Sequence, residues 1–247
     1  MGPAAARRFA LAVRVIAPVF VALVATSCGH PQIPDDRHHD DGRMLIREPV
    51  VVSALESGIS EPYPLDRIYG TFGDCRPGGR QHRGLDIGGT GANFGLGTPV
   101  RSMVRARITQ IVRPEDDPDR WGRRDTRGGT TERSGHDLPR TFYVAGYGDV
   151  HFFTRDYGSA HTGEMIITEA IGTSIHGFRV RYMHLGAAHP ELRVGDIVEA
   201  GQEIGLMGGT AVLESLPHVH IDVEDRDGDR VDVAPLLGMA PDRSRCR

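Results

Sequence analysis

The sequence predicts a β-rich fold with few long helices, and two observations carry that expectation. It holds 32 glycines and 16 prolines in 247 residues, so it turns often. Its apolar residues fall in short runs bounded by Gly and Pro, many alternating with period 2 and few recurring every three or four positions. A content of 39% hydrophobic and 25% charged residues is that of a globular protein. Disordered, collagenous and multi-span membrane classes are excluded, and the length supports one well-buried core with accessory segments.

The chain opens with an export signal over residues 1–27. Arg7, Arg8 and Arg14 precede the apolar run Val15–Ala25, which is followed by Thr26-Ser27-Cys28. A mature membrane helix needs ~20 apolar residues, and this run is too short for one; it has the length of a signal-peptide core. Small residues directly before Cys28 resemble the bacterial lipobox, in which the cysteine is lipidated and becomes the mature N-terminus. A plain secretory peptide cut near Ser27 is the alternative, and either way the protein is exported. Gly29 stands where an Asp would resemble an inner-membrane retention signal. The expected location is therefore the outer membrane, facing the periplasm. With Cys28 assigned to lipid, Cys75 and Cys246 remain as a pair in an oxidising compartment, where a disulfide is favoured.

Residues 28–62 are polar and without sustained periodicity, and read as a flexible tether. The pair His38-His39 within it could bind metal, but a solvated linker is the better reading. The folded domain is expected over 63–240, with 241–247 as a tail. In it, Val100–Val112 alternates as a strand does, and Met165–Ile167, Phe178–Met183, Ile197–Val198, Ile204–Met207 and Val219–Val223 are further strands. Asp227-Gly228-Asp229 reads as a hairpin turn, since the acid that would close a calcium loop is missing. Residues 113–160 carry Pro114, Pro118, Arg123-Arg124 and Gly128-Gly129. This stretch is too long for a simple connection and reads as an insertion, expected to border the functional groove.

Charge narrows the function. A net charge of −4 leaves no basic footprint for nucleic acid. All 29 cationic side chains are arginine, which excludes a lysine Schiff base and lysine-borne biotin or lipoate.

Three histidine sites carry the chemistry: His82-Arg83-Gly84-Leu85-Asp86, then His184 in Tyr182-Met183-His184-Leu185, then His218-Val219-His220. On a strand, His218 and His220 point to one face. A face that gathers imidazoles and a carboxylate has the makings of a catalytic zinc site, which takes three N and O ligands and keeps a position open for water.

In these motifs the sequence resembles the lysostaphin/LytM-type zinc endopeptidases of bacterial cell walls. The family's H-x-G-x-D, Y-x-H-L and H-x-H motifs stand intact and in family order, and Val194–Gly205 looks like its V-G-D-x-V-x-x-G-Q-x-I-G hairpin. The resemblance implies a mainly β fold of two facing antiparallel sheets, the duplicated hybrid motif, which is barrel-sandwich-like with few short helices. It implies that His82, Asp86 and His220 hold one Zn2+ per chain, and that His184 and His218 are the catalytic histidines. The implied reaction is hydrolysis of peptide cross-links in peptidoglycan by metal-activated water. Some relatives have lost their ligands and only activate other wall hydrolases, so a non-catalytic wall-binding lipoprotein is the alternative. This chain retains every ligand and both catalytic histidines. Lipoyl and biotinyl carriers share a related architecture but need the absent lysine, and a sugar-transport phosphocarrier would be cytoplasmic.

Overall fold

Val180, Tyr182 and Leu185 on one strand and Val219, Ile221 and Val223 on its neighbour are all buried, as half-covered strands require. The computed structural model describes residues 68–237 except 77, 89–93, 127–128, 131–136, 139, 174 and 213–214, together with two short strands at 38–40 and 43–45. The expected signal segment 1–27, the 241–247 tail, Cys28 and Cys246 lie outside the described residues.

In chain order the strands are β1 (His38–Asp40), β2 (Arg43–Leu45), β3 (Ile68–Gly70), β4 (Cys75–Arg76), β5 (Arg80–Gln81), β6 (Leu85–Gly88), β7 (Pro99–Arg101) and β8 (Ala106–Val112). There follow one helical turn, α1 (Pro118–Trp121), and then β9 (Gly129–Thr130), β10 (Asp137–Leu138), β11 (Thr141–Val144) and β12 (Gly148–His151). The remainder are β13 (Glu164–Ala170), β14 (Arg179–Ala188), β15 (Ile197–Val198), β16 (Glu203–Met207), β17 (His218–Glu224) and β18 (Arg230–Val231). No helix among the described residues is long and apolar enough to cross a membrane.

The fold is mainly β and antiparallel with almost no helix, as expected. Twelve strands are joined in one hydrogen-bonded network. The joint is β14, which pairs with β17 over Arg179–Met183 and with β16 from Leu185 to Ala188. The two arms share one core: Val100, Ile204 and Met207 from one lie in the same apolar cluster as Ile108, Tyr182 and Ile221 from the other. Within the stretch read as tether, β1 and β2 pair with each other, and Met44 lies parallel beside Val231.

Val100–Val112 is two strands rather than one. Ser102 is fully buried and its hydroxyl donates to the Val104 carbonyl at 2.7 Å, which bends the chain between β7 and β8. Alternation does not register the bend, because Val100, Met103, Val104, Ala106 and Ile108 all still reach the core. The expected turn after β17 is present: Asp225 Oδ1 accepts from the backbone N–H groups of Asp227 and Asp229.

The insertion folds onto the domain. Asp117 caps α1 by accepting from the Arg120 N–H, and Trp121 packs in a cluster with Val112, Met165 and Met183. The β11–β12 hairpin leads into Phe152 and Phe153, both buried.

Candidate metal centre

Asp86 and His220 are cross-strand partners in the β6–β17 ladder, and His218 stands opposite Gly88 two residues along. Alternation sends Leu85, Ile87, Val219 and Ile221 into the core, and Asp86, His218 and His220 to the other face. His82 precedes β6 and is brought in by its Nδ1, which lies 2.8 Å from the Thr71 carbonyl oxygen. Nδ1–H therefore donates there, and Nε2 is left with a lone pair.

That Nε2 lies 3.0 Å from His220 Nδ1 and 3.1 Å from Asp86 Oδ1, and the last two are 2.7 Å apart. Two imidazole nitrogens and a carboxylate oxygen thus converge within 4.8 Å of one another. Burial alone would raise the Asp86 carboxyl, but the field of His218 and hydrogen bonding with His220 and His82 outweigh it and hold it well below the usual carboxylate range. An ionised carboxylate beside nitrogen lone pairs is a donor set of the N,N,O kind that suits a zinc ion, so the residues present fit one.

The glycine of the first motif has a steric reason. A Cβ on Gly84 would come within 2.4 Å of the Ile221 carbonyl oxygen and 2.6 Å of His220 Nε2. Gly70 is constrained similarly, since its Cβ would meet Arg76 Nη2 at 2.2 Å and Asp86 Oδ2 at 2.9 Å. Arg76 itself donates to Asp86 Oδ2 at 2.5 Å, so one oxygen of this carboxylate is held by a guanidinium while the other faces the histidines. Arg76 was not singled out by the sequence, which offers no spacing signal linking it to Asp86.

His184 reaches the same face by a break in alternation. Tyr182 and Leu185 point into the core, and β14 has a register shift against β13, where Ile166 faces Tyr182 but Glu164 faces Leu185. Met183 and His184 therefore oppose the single residue Met165, and His184 has φ +63°. This is a β-bulge, and it turns His184 outward beside Met183. Its ring centroid lies 5.0 Å from that of His218 and 6.1 Å from that of His220.

The two outer histidines are held alike. His184 Nδ1 lies 2.9 Å from the Thr210 carbonyl oxygen and His218 Nδ1 lies 2.8 Å from that of Leu216. Each carries its proton on Nδ1 and presents Nε2 as the basic nitrogen. Burial, then the charges of His218 and His220, push His184 down to about 3. Burial likewise lowers His218, against the raising effect of Asp86. Both imidazoles are neutral at pH 7 and able to accept a proton. All five residues singled out by the sequence are gathered here. Tyr182 of the second motif is buried instead, its hydroxyl accepting from the Met103 N–H at 2.8 Å.

Residues 140–233 match peptidase family M23. Over that stretch the chain is similar to the M23 peptidases. The match covers the second and third histidine motifs, while His82 and Asp86 precede it. No curated protein matches the chain. Among solved structures, the catalytic domain of lysostaphin from Staphylococcus simulans is 21% identical, over 69% of this chain and 91% of that one, with a TM-score of 0.42. LytU is 18% identical over 70% and 84%, with a TM-score of 0.42. A zinc-containing peptidase from Vibrio cholerae is 19% identical over 83% of this chain and 46% of that one, with a TM-score of 0.44. The match thus spans less than half the length of the last.

Proposed function

We propose that this protein is an M23-type, zinc-dependent endopeptidase that hydrolyses the peptide cross-links of bacterial peptidoglycan. The observation that carries the reading is the convergence of His82 Nε2, Asp86 Oδ1 and His220 Nδ1 beside two neutral histidines whose Nδ1 protons are committed to backbone carbonyls. His82, Asp86 and His220 hold the metal, one Zn2+ per chain. When bound, zinc supplies Lewis acidity that lowers the pKa of water and polarises a carbonyl.

The chain's own residues do the rest. Asp86 brings one negative charge and the two ligand histidines none, so the site retains net positive character. His184 and His218 each offer Nε2 to accept a proton from the attacking water and to return one to the leaving amine. Once protonated, they stabilise the negative charge that develops on the tetrahedral carbon's oxygen.

The envelope location belongs to the same proposal: lipid on Cys28, anchorage in the outer membrane and a fold facing the periplasm. A disulfide between Cys75 and Cys246, favoured in that oxidising compartment, is part of it. The deciding experiment is mass spectrometry of muropeptides after purified sacculi are incubated with the protein, with and without a chelator. Chelator-sensitive loss of cross-linked dimers is expected. Intact cross-links with a protein shown to hold one zinc would overturn the reading.

A further inference from the structure

The bulge that turns His184 outward is fastened by residues that play no part in the chemistry above. Thr210 is fully buried; its hydroxyl donates to the Leu185 carbonyl at 2.7 Å and accepts from the Glu164 N–H at 2.9 Å. Its own carbonyl is the one that holds His184 Nδ1. The backbone N–H of His184 donates to the Thr162 carbonyl at 3.0 Å. One residue opposite two would otherwise leave this stretch of β14 free to slip back into plain alternation, with His184 turned toward the core.

Glu164 completes the clamp from the far side of the bulge. Its Oε1 accepts from the Ala188 N–H at 2.6 Å, so this single residue grips β14 at Leu185 through the ladder and at Ala188 through its side chain. Glu164 is 1% exposed. A carboxylate so placed needs a cation, and the cation is Arg124, which pairs with the other carboxylate oxygen. Arg124 comes from the insertion, 40 residues earlier in the chain. Its Nη1 also donates to the Gly186 carbonyl at 2.8 Å and to the His151 carbonyl at 2.5 Å. Phe152, again from the insertion, lies so close over Gly186 that a Cβ there would meet its ring at 2.2 Å.

We propose that Arg124, supplied by the insertion, is a positioning residue for His184, acting through Glu164 and Gly186 to keep the bulge formed. The insertion then does more than border a groove: it fixes the orientation of one of the two outer histidines. The consequence for turnover rests on the peptidase reading, but the consequence for the imidazole does not.

The test is proton exchange at the His184 ring, read by nitrogen-15 correlation spectra of the full chain labelled in its histidine rings and assigned with His184→Ala. In the unaltered protein a single tautomer is expected, with a slowly exchanging Nδ1 proton. In Arg124→Gln, that exchange accelerates about ten-fold or more, because the bulge opens locally, while the resonances of His82 and His220 stay in place. Arg124→Lys retains the charge but not the fork and falls between the two. A folded Arg124→Gln protein with unchanged exchange at His184 overturns the proposal. Where Arg124→Gln does not fold, Glu164→Gln carries the same test, since it leaves an acceptor for the Ala188 N–H and removes the buried charge that Arg124 meets there, while the Arg124 pair with Glu115 is untouched. Unchanged exchange in that variant also overturns it. A protein that binds no zinc and cuts no cross-link would defeat the peptidase reading yet leave this measurement intact.

Discussion

The ring of His220 lies over Gly84, close enough that a Cβ at position 84 would come within 2.6 Å of its Nε2. The motif's glycine is therefore what lets the third metal-ligand candidate come close against the segment that carries the first two. Gly84→Ala forces either the His220 ring or the Ile221 carbonyl aside. A destabilisation of about 1–3 kcal/mol is expected from overpacking, with zinc affinity falling with it. Thermal melts and competition against a chromophoric chelator read the two effects; a variant unchanged in both would mean that the loop yields freely.

Arg76 grips one oxygen of Asp86 and leaves the other to the histidines. Carboxylates that hold metals depend on such partners for their orientation, and losing one costs about 10-fold or more in affinity. Arg76→Gln is expected to weaken zinc binding by that factor while the fold persists, because the Arg76 side chain is 36% exposed. Equal affinity in the variant and the parent would show that Gly70 and the histidines orient Asp86 unaided.

Much of this was legible in sequence because the strands obey one rule. Period-2 alternation placed His218 and His220 together, and the ladder with Asp86 puts them there. The same rule would have set His184 on the core face of Tyr182, and only the bulge, fixed by Thr162, Glu164 and Thr210, reverses it. The split between β7 and β8 was hidden because both halves reach the core. Arg124 and Glu164 were illegible as a pair, since nothing local announces an ion pair spanning 40 residues. Arg76 lies only ten residues from Asp86, but its role depends on how the β4–β5 hairpin folds back.

Ligand and proton-transfer roles separate cleanly in two substitutions. His220→Ala removes a nitrogen that lies 2.7 Å from Asp86 Oδ1 and 3.0 Å from His82 Nε2, so both metal content and hydrolysis of cross-links are expected to vanish. His184 stands outside that trio. His184→Ala is expected to retain its zinc and lose activity by about 10²–10⁴, the usual size of a general acid–base contribution. Elemental analysis beside muropeptide digestion reads both, and full zinc retention in His220→Ala would refute the ligand assignment.

Metal removal has a sign that the geometry fixes. His82 Nε2, His220 Nδ1 and Asp86 Oδ1 are held together by the fold, on residues up to 138 positions apart in sequence. The unfolded chain offers no such cluster, so zinc binds the native state and stabilises it. At a free zinc concentration of 100 times Kd the gain is about 2.7 kcal/mol. A chelator is therefore expected to lower the melting temperature of the parent protein, and zinc to restore it in a concentration-dependent way. In His220→Ala neither addition should move the transition, which separates loss of the bound ion from any direct effect of the chelator. A shift of equal size in that variant would place the stabilising ion elsewhere, at a site that does not use His220.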